Sequence, residues 1–201
     1  MIKGSEIRKA DYPIEKLLLD RWSPRAMSGE EISREELMGL FEAARWAPSS
    51  FNGQQWRALY AHRSTEHWQT FFDLLVDANK AWAKKAAVLV VFISRRNFDH
   101  NDEPSITHSY DCGAAWENFA LQGFQQGLVV HGMQGFDTIG HARNLRFQTN
   151  SKSKQWRPSA GRARKKYFLK NCRRAKALTI GGKFRKASLR DPSGLGSFGD
   201  S

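Results

Sequence analysis

The sequence predicts an α+β or α/β domain organised around one sheet. Three observations indicate it: a helix-capping motif at residues 33–36 that precedes apolar residues at helical spacing, an apolar β-branched run at 86–93, and a long apolar helical segment at 105–127. Helices that alternate with strands are typical of a sheet covered by helices. The 201 residues, 40% of them hydrophobic, suffice for one domain with a sizeable core.

The first predicted helix spans about residues 33–46. Ser33 and Glu36 have the S-x-x-E spacing of a capping box, in which each side chain bonds the other residue's backbone N–H. Apolar residues continue at helical spacing to Ala44, and Pro48 ends the helix. Residues 56–61 follow as a predicted strand.

The remaining elements alternate in the same way. We expect Ser64 or Thr65 to cap a second helix whose apolar face reaches Val76. Residues 86–93 are apolar on both faces, as in a central strand covered on both sides. The long helix at 105–127 is apolar around much of its circumference, which indicates burial on several sides or a subunit interface. A strand at 128–133 and a short helix at 138–145 complete the predicted domain.

The positive charge of the chain is concentrated at its carboxyl end. The formal net charge is +12, yet residues 1–146 hold 17 Lys and Arg against 18 Asp and Glu, whereas 147–201 hold 15 against 2. We therefore separate a domain, 1–146, from a basic tail, 147–201. Clustered positive charge binds phosphate backbones, so a non-catalytic binding protein whose tail engages nucleic acid or an anionic surface is the alternative function.

Several other classes of protein find no support in the sequence. The longest apolar run, 86–93, is far shorter than the roughly 20 residues of a membrane span, and the amino terminus lacks the apolar stretch of a signal peptide, so we expect a cytoplasmic location. Cys112 and Cys172 have neither a CxxC spacing nor a paired histidine. The six histidines lack the H-x-x-x-H and H-E-x-x-H spacings, so no metal is expected.

Two basic residues and a hydroxyl occupy alternate positions near the amino terminus. In an extended segment the side chains of Arg21, Ser23 and Arg25 point the same way. Guanidinium groups bind phosphate oxygens bidentately, so the three side chains form a candidate phosphate clamp. The alternative is a solvated edge of polar residues.

A polar loop follows the first predicted helix. It contains Pro48, Ser49, Ser50, Asn52 and Gln54, and lies between two apolar elements. Its hydroxyl and amide groups suit hydrogen bonding to a planar heterocycle. The alternative is an Asn/Gly turn that only joins helix to strand.

Together these two segments resemble the nitroreductase family of FMN-dependent oxidoreductases, in which R-x-S-x-R near the amino terminus is followed by A-P-S-S-x-N-x-Q-x-W. Both motifs are present, and G-M-Q-G-F-D at 132–137 is similar to the family's strand-to-loop segment that ends in G-F-D. The order and spacing of the three motifs identify residues 18–146 as similar to this family.

The resemblance implies an α+β fold of three layers, with a central, mostly antiparallel sheet flanked by helices, and an intertwined homodimer that binds FMN between its subunits. Its implied FMN-binding residues are Arg21, Ser23 and Arg25 toward the phosphate and ribityl chain, Pro48, Ser49, Ser50, Asn52 and Gln54 around the flavin, and the backbone of Met133, Gln134 and Gly135 near N5. Many members carry a Gly-Gly pair where this chain has G-M-Q-G-F, so the donor to N5 stays open.

Flavin itself accepts and returns the hydride, so no catalytic nucleophile or general base is expected, and no triad is evident. No G-x-G-x-x-G follows a strand, so we expect NADH or NADPH to stack on the flavin in the pocket that the acceptor uses later, with ping-pong turnover. Nitroaromatics, quinones and similar electrophiles fit such a site. The expected partners are a second copy and a small-molecule acceptor, rather than nucleic acid or a membrane.

The tail, residues 147–201, does not resemble the corresponding part of the family. It lacks the Ile-Pro turn, the strand and the basic-aromatic segment that the family carries there. Reading the codons of Arg146 to Lys166 one base earlier, with permitted third bases, allows RIPDEFEVEAMAAVGRPGKKE, which resembles the family. We therefore predict a frameshift near Arg146 and a tail, 147–201, that is disordered or out of frame.

Overall fold

The structure is a computed structural model that describes residues 2–136 in full and residues 175–181 by their backbone. Its helices are α1 (Lys16–Asp20), α2 (Arg34–Arg45), α3 (Trp68–Asp73), α4 (Asp77–Ala83) and α5 (His108–Gln125). Its strands are β1 (Trp56–His62), β2 (Val88–Ser94), β3 (Val129–Met133) and β4 (Ala175–Gly181). Short 3₁₀ turns occur at Gly4–Glu6 and Ser50–Asn52.

The capping box predicted for α2 is confirmed. The Ser33 hydroxyl accepts from the backbone N–H of Glu36 at 3.1 Å, and the Glu36 carboxylate accepts from the backbone N–H of Ser33 at 2.8 Å. Two backbone N–H groups at the start of the helix, which have no partner within the helix, are thereby hydrogen-bonded to side chains. These bonds fix the residue at which the helix begins. The helix ends at Arg45, ahead of Pro48.

The four described strands form one sheet in the order β1-β2-β4-β3, and each neighbouring pair is antiparallel. Trp56 lies opposite Ser94, and Ala177 lies between Val91 and Met133. The start of β1 and the ends of β2 and β3 therefore lie at the same end of the sheet. All seven residues of β2 are buried, as the apolar run predicted.

Helices cover both faces of this sheet. On one face α2 and α5 pack on alternate β2 residues, Val88, Val90 and Phe92. On the other face, α3 and the residues that follow it pack on the intervening residues of β2, among them Leu89 and Val91. The fold is α+β in three layers around an antiparallel sheet, which confirms the expected fold class.

Helix α5 spans less than the predicted 105–127, and its buried residues lie on one side of the helix rather than on several. Ala115, Phe119 and Ala120 are fully buried against α2 and the sheet. The helix ends at Gln125, and Gly127, just beyond the C-cap residue Gln126, has a φ of 77° in the left-handed region that glycine adopts without a Cβ clash. The backbone N–H of Leu128 then donates to the Gly123 carbonyl at 2.8 Å and leads directly into β3.

The second predicted helix needs correction. α3 stops at Asp73, a separate helix α4 follows, and Val76 is exposed. Neither Ser64 nor Thr65 caps α3, because the Thr65 hydroxyl donates instead to the His62 carbonyl at 2.7 Å and closes the turn after β1. Leu74 and Leu75 remain buried beyond the end of α3, so apolar spacing alone overstated its length.

Strand β4 lies inside the segment that the sequence analysis treats as a basic tail. Residues 175–181 lie inside 147–201 and occupy a central position between β2 and β3. Their sequence, A-K-A-L-T-I-G, includes the β-branched Thr179 and Ile180, which favour a strand. The rest of 147–201, the predicted helix at 138–145 and Asp137 lie outside the described residues, and the reading frame stays a prediction.

Among the residues described, none of the helices combines the length and the hydropathy needed to cross a membrane.

Candidate functional site

The structure brings Arg21 and Ser23 of the predicted phosphate clamp together. Arg21 follows α1 in extended backbone, and its Nη1 donates to the Ser23 hydroxyl at 3.4 Å. Its Nε also lies 3.5 Å from a carboxylate oxygen of Glu117 on α5. The Arg21 side chain is 21% exposed, so a partly buried guanidinium is positioned between a hydroxyl and a carboxylate, with access to solvent.

The clamp segment is attached to β3 through His131. The His131 Nδ1 lies 3.1 Å from the Pro24 carbonyl, which can only accept, so this nitrogen carries the proton. The imidazole also lies against the Trp82 ring, with 4.5 Å between centroids. Burial lowers the pKa of His131, and the positive charge of Arg25 lowers it further, against the bonds to the Pro24 and Ser23 backbone. Arg25 itself is exposed.

The polar loop, residues 48–54, is organised by hydrogen bonds within itself. The Ser49 hydroxyl accepts from the Gln54 backbone N–H at 3.0 Å. The side-chain amide of Gln54 donates to the side-chain oxygen of Asn52 at 3.1 Å. Backbone bonds from Asn52 to Ser49 and from Gly53 to Ser50 close the turn at 3.0 and 2.9 Å. Three of the five loop residues predicted around a flavin, Ser49, Asn52 and Gln54, therefore have side chains within one hydrogen-bonded turn.

The same loop contains left-handed backbone at residues other than glycine. Phe51, Asn52 and Gln54 have φ values of 52°, 50° and 48°. This region costs roughly 1–2 kcal/mol for a residue such as Phe or Gln, and such conformations persist only where surrounding contacts impose them. Gly53 is needed for space rather than for φ, because a Cβ there would lie 2.6 Å from the side-chain nitrogen of Gln55.

A buried carboxylate supports the loop from α5. Asp111 is 3% exposed, and its Oδ2 accepts from the Ser50 backbone N–H at 3.2 Å and from the Thr107 hydroxyl at 3.1 Å. Sequence analysis missed this residue. In the structure it lies in the first turn of α5, where acidic residues are common, but in the predicted helix 105–127 it has no such position.

A small cavity of about 280 Å³ opens between the loop and the start of α5. Its lining residues are Pro48, Ser49, Ser50, Thr107, Tyr110 and Asp111. Tyr110, one of the lining residues, is 80% exposed, and Phe51, within the loop, is 89% exposed. Trp46 and Ile106, which are near lining residues in the sequence, are exposed as well. Exposed apolar side chains therefore occur in the loop itself and at the rim of the cavity.

The third predicted segment, Met133 to Gly135, lies at the end of β3. Met133 is buried and Gln134 is exposed. The Gly135 carbonyl accepts from the Val76 backbone N–H at 3.2 Å and from the Asn79 side chain at 2.9 Å, so it is already engaged at the start of α4. A Cβ at position 135 would lie 2.8 Å from a Val76 methyl. Of these three residues, Gln134 is the most open to a ligand.

One chain does not bring this segment and the polar loop together. They adjoin the same end of the sheet but belong to its two outer described strands, about 14 Å apart at the usual strand spacing. The loop contacts α5 on one face, whereas Gly135 contacts α4 on the other. Any ligand that touches both segments must either span this separation or lie between two chains.

The donor groups suit FMN. Two guanidinium groups and a hydroxyl match a phosphate, and the hydroxyl and amide groups of the loop match the polar edge of a flavin. Beneath the loop, Gln55 is fully buried, and neither polar atom of its side chain has a partner among the described residues. In the same part of the chain, no group of His, Cys, Asp and Glu side chains could hold a metal ion.

Comparison with known proteins gives a consistent result. The model of the "Nitroreductase family" matches residues 18–151. A solved structure of an oxidoreductase containing FMN is 35% identical, with a TM-score of 0.67 over 89% of this chain and 81% of that one. No curated protein matches the sequence significantly.

More distant structures share the fold. A nitroreductase family protein from Clostridium novyi NT is 14% identical, with a TM-score of 0.60 over 84% of each chain. An FMN-dependent nitroreductase from Clostridium difficile R20291 is 18% identical, with a TM-score of 0.54 over 88% of this chain and 91% of that one. At these identities the likeness concerns the fold alone.

Proposed function

The chain belongs to the nitroreductase family of flavin oxidoreductases, and from that premise we propose that it transfers a hydride from NADH or NADPH, through bound FMN, to a nitroaromatic, a quinone or a similar electrophile. The observation that carries the proposal is the hydrogen-bonded turn formed by Ser49, Asn52 and Gln54. A merely connecting turn would not need three left-handed residues held by a buried carboxylate.

Arg21, Ser23 and Arg25 are the proposed phosphate-binding residues. The Arg21 guanidinium is directed by Ser23 and Glu117, so part of the entropy cost of ordering it is met before a ligand arrives. A phosphate would add a charge-assisted bond to a group that solvent still reaches. Arg25 is exposed and supplies the second positive charge.

The polar loop is the proposed flavin-binding segment. Pro48, Ser49 and Ser50 line the cavity, and Asn52 and Gln54 carry side-chain amides in the same turn. Because the turn is fixed by its own hydrogen bonds, these groups bind a planar ring without reorganising the backbone. The backbone of Met133, Gln134 and Gly135 completes the proposed set, with Gln134 the most accessible member.

When bound, FMN would supply the hydride chemistry, since flavin accepts and returns a hydride without a protein nucleophile. The residues of the chain bind and orient the ring and limit the access of water to it. Donor and acceptor then use the same face in turn, which is a ping-pong reaction. We expect no catalytic nucleophile or general base.

We propose that the active form is a homodimer with its sites between the subunits. Tyr110 at the cavity and Phe51 in the loop are large, exposed apolar side chains, and exposed apolar groups of this kind are typical of interaction sites. A second chain would also supply the end of β3 that lies across the sheet from the loop in a single chain. A cytoplasmic location stays a prediction.

Initial-rate measurements test the reaction. Under anaerobic conditions, purified protein with added FMN should oxidise NADH or NADPH beyond one equivalent per flavin only when an acceptor such as a nitroaromatic or a quinone is present. Ping-pong turnover predicts parallel double-reciprocal lines when both substrates are varied. Intersecting lines would contradict the shared site, and a lack of turnover with every acceptor would contradict the enzyme.

A further inference from the structure

A single oxygen of Asp111 joins two segments that lie 61 residues apart in the sequence. Oδ2 accepts from the backbone N–H of Ser50 in the polar loop and from the hydroxyl of Thr107 just before α5. The Asp111 side chain is almost completely buried. A buried carboxylate needs such bonds, and a bond from a backbone N–H to a charged acceptor is stronger than one between neutral groups.

The loop that Asp111 holds has backbone that needs support. Phe51 and Gln54 have left-handed φ values of 52° and 48°, which side chains other than glycine and asparagine rarely adopt. Asp111 anchors the loop at Ser50. At its other end, Arg57 donates to the Gln54 carbonyl at 3.1 Å and is ion-paired with Asp99. The strained turn is therefore held at both ends by charged side chains from outside it.

We propose that Asp111 is a positioning residue for flavin binding: through the Ser50 N–H it holds the polar loop in the conformation that presents Ser49, Asn52 and Gln54. This inference rests on the proposed function. Asp111 need not touch the flavin, because its effect passes through the backbone of the loop. Without it, the loop relaxes toward ordinary backbone, and part of the binding free energy is spent on ordering it again.

Asp111 could instead act only by stabilising helix α5, and that role makes different predictions. A negative charge in the first turn of α5 favours that helix electrostatically wherever its oxygens point. Asp111→Glu keeps this charge but moves the carboxylate by one methylene, away from the Ser50 N–H. Asp111→Asn removes the charge but keeps an oxygen that accepts from Ser50 and Thr107. The two conservative variants therefore separate the two roles.

The experiment measures FMN affinity by fluorescence titration of apoprotein, together with hydrogen exchange of the Ser50 amide without FMN. We expect D111E to weaken FMN binding about tenfold and to speed Ser50 exchange by a similar factor, the effect of losing one charge-assisted bond. D111N should stay within about threefold of the wild type on both measures. Ser33→Ala is the matched control, because it removes a comparable side-chain bond to a backbone N–H at the far end of α2.

The outcomes separate the inference from the proposed function. D111E with wild-type FMN affinity and wild-type Ser50 exchange overturns the positioning role. An impaired D111N beside a normal D111E shows that the helix charge is what matters, and also overturns it. If S33A weakens FMN binding as much as D111E does, general destabilisation is the cause. A wild-type protein that takes up no FMN contradicts the proposed function itself.

Discussion

At the scale of single residues, Arg21 has two neighbours with opposite consequences for an anion. Ser23 directs the guanidinium, whereas Glu117 brings a negative charge within 3.5 Å of it. A phosphate that binds there competes with the carboxylate for the same guanidinium. Arg25, which is exposed, has no comparable carboxylate among the ion pairs of the described residues.

Arg21→Ala and Arg25→Ala should each weaken FMN binding, because each removes a charge-assisted contact worth roughly 1.5–3 kcal/mol. Fluorescence titration of the apoprotein measures the change. Lys84→Ala, at an exposed position beyond α4, controls for the loss of one positive charge. Unchanged affinity in both arginine variants would show that the phosphate binds elsewhere.

His131 gives the protein a pH-dependent stability. Burial holds its pKa below the usual 6.5, so the unfolded chain binds the proton more readily than the folded one. The free energy of unfolding should therefore fall as pH decreases from about 6.5 toward the lower folded value, and then level off. Urea unfolding across this range should show a smaller fall for His131→Gln. An identical profile in the variant would contradict the buried, neutral imidazole.

Sequence reasoning proposes side chains that could bind a ligand directly, but it gives no signal for contacts that act on the backbone. Arg21 and Ser23 were predicted to lie together because alternate positions in extended chain share a side. Asp111 was not, because its partner Ser50 is 61 residues away and only the packing of α5 on the loop brings them together. The left-handed φ values of Phe51 and Gln54 likewise have no signature in residue type.

At the scale of elements, α5 contains two glycines with opposite surroundings. A Cβ at Gly123 would lie 2.5 Å from a Val130 methyl and 3.3 Å from a Leu40 methyl, so this glycine lets α5 approach both α2 and β3. A Cβ at Gly113, which is exposed, would meet no atom within 4 Å. The helix is therefore packed closely at one site and free at the other.

Gly123→Ala should destabilise the protein by about 1–3 kcal/mol through overpacking. Gly113→Ala should stabilise it by roughly 0.5–1 kcal/mol, because alanine loses less backbone entropy in a helix. Thermal or urea unfolding of the two variants, matched in chemistry and helix, measures the difference. Equal effects at both positions would contradict the close approach of α5 to β3.

The helices and strands with a strong local signal were predicted well, and those that depend on tertiary contacts were not. α2 carries its own capping box, and β2 carries a continuous apolar run, so both are evident in the sequence. α3 and α4 divide a segment that apolar spacing made continuous, since Leu74 and Leu75 bury their side chains after α3 has ended. Packing, rather than local preference, decides that boundary.

At the scale of the whole molecule, the sheet depends on a strand from the basic part of the chain. β4 pairs with β2 on one side and β3 on the other, so it connects the two halves of the sheet. Without it, β2 and β3 would each expose an unpaired edge. Because β4 lies inside residues 147–201, the reading frame of that segment determines which residues form the central part of the sheet.

The predicted frameshift has a direct test in the gene. Sequencing around the Arg146 codon should show an alternate frame that stays open for roughly 50 codons and encodes a string close to the one derived above. Restoring that frame should raise thermal stability and FMN occupancy, because it supplies an apolar strand that buries area at about 25 cal/mol per Å². An alternate frame soon closed by stop codons would contradict the prediction and favour the present strand β4.

Anaerobic titration of the purified, FMN-loaded protein tests the proposed function most directly. The protein should be yellow, its visible flavin absorbance should bleach when NADH or NADPH is added, and the colour should return when a nitroaromatic or quinone acceptor follows. The nucleotide should reduce the flavin in the absence of the acceptor, and the acceptor should reoxidise the reduced flavin in the absence of free nucleotide. A colourless protein that takes up no added FMN, or bound flavin that neither nucleotide reduces, would contradict a flavin oxidoreductase that uses NAD(P)H.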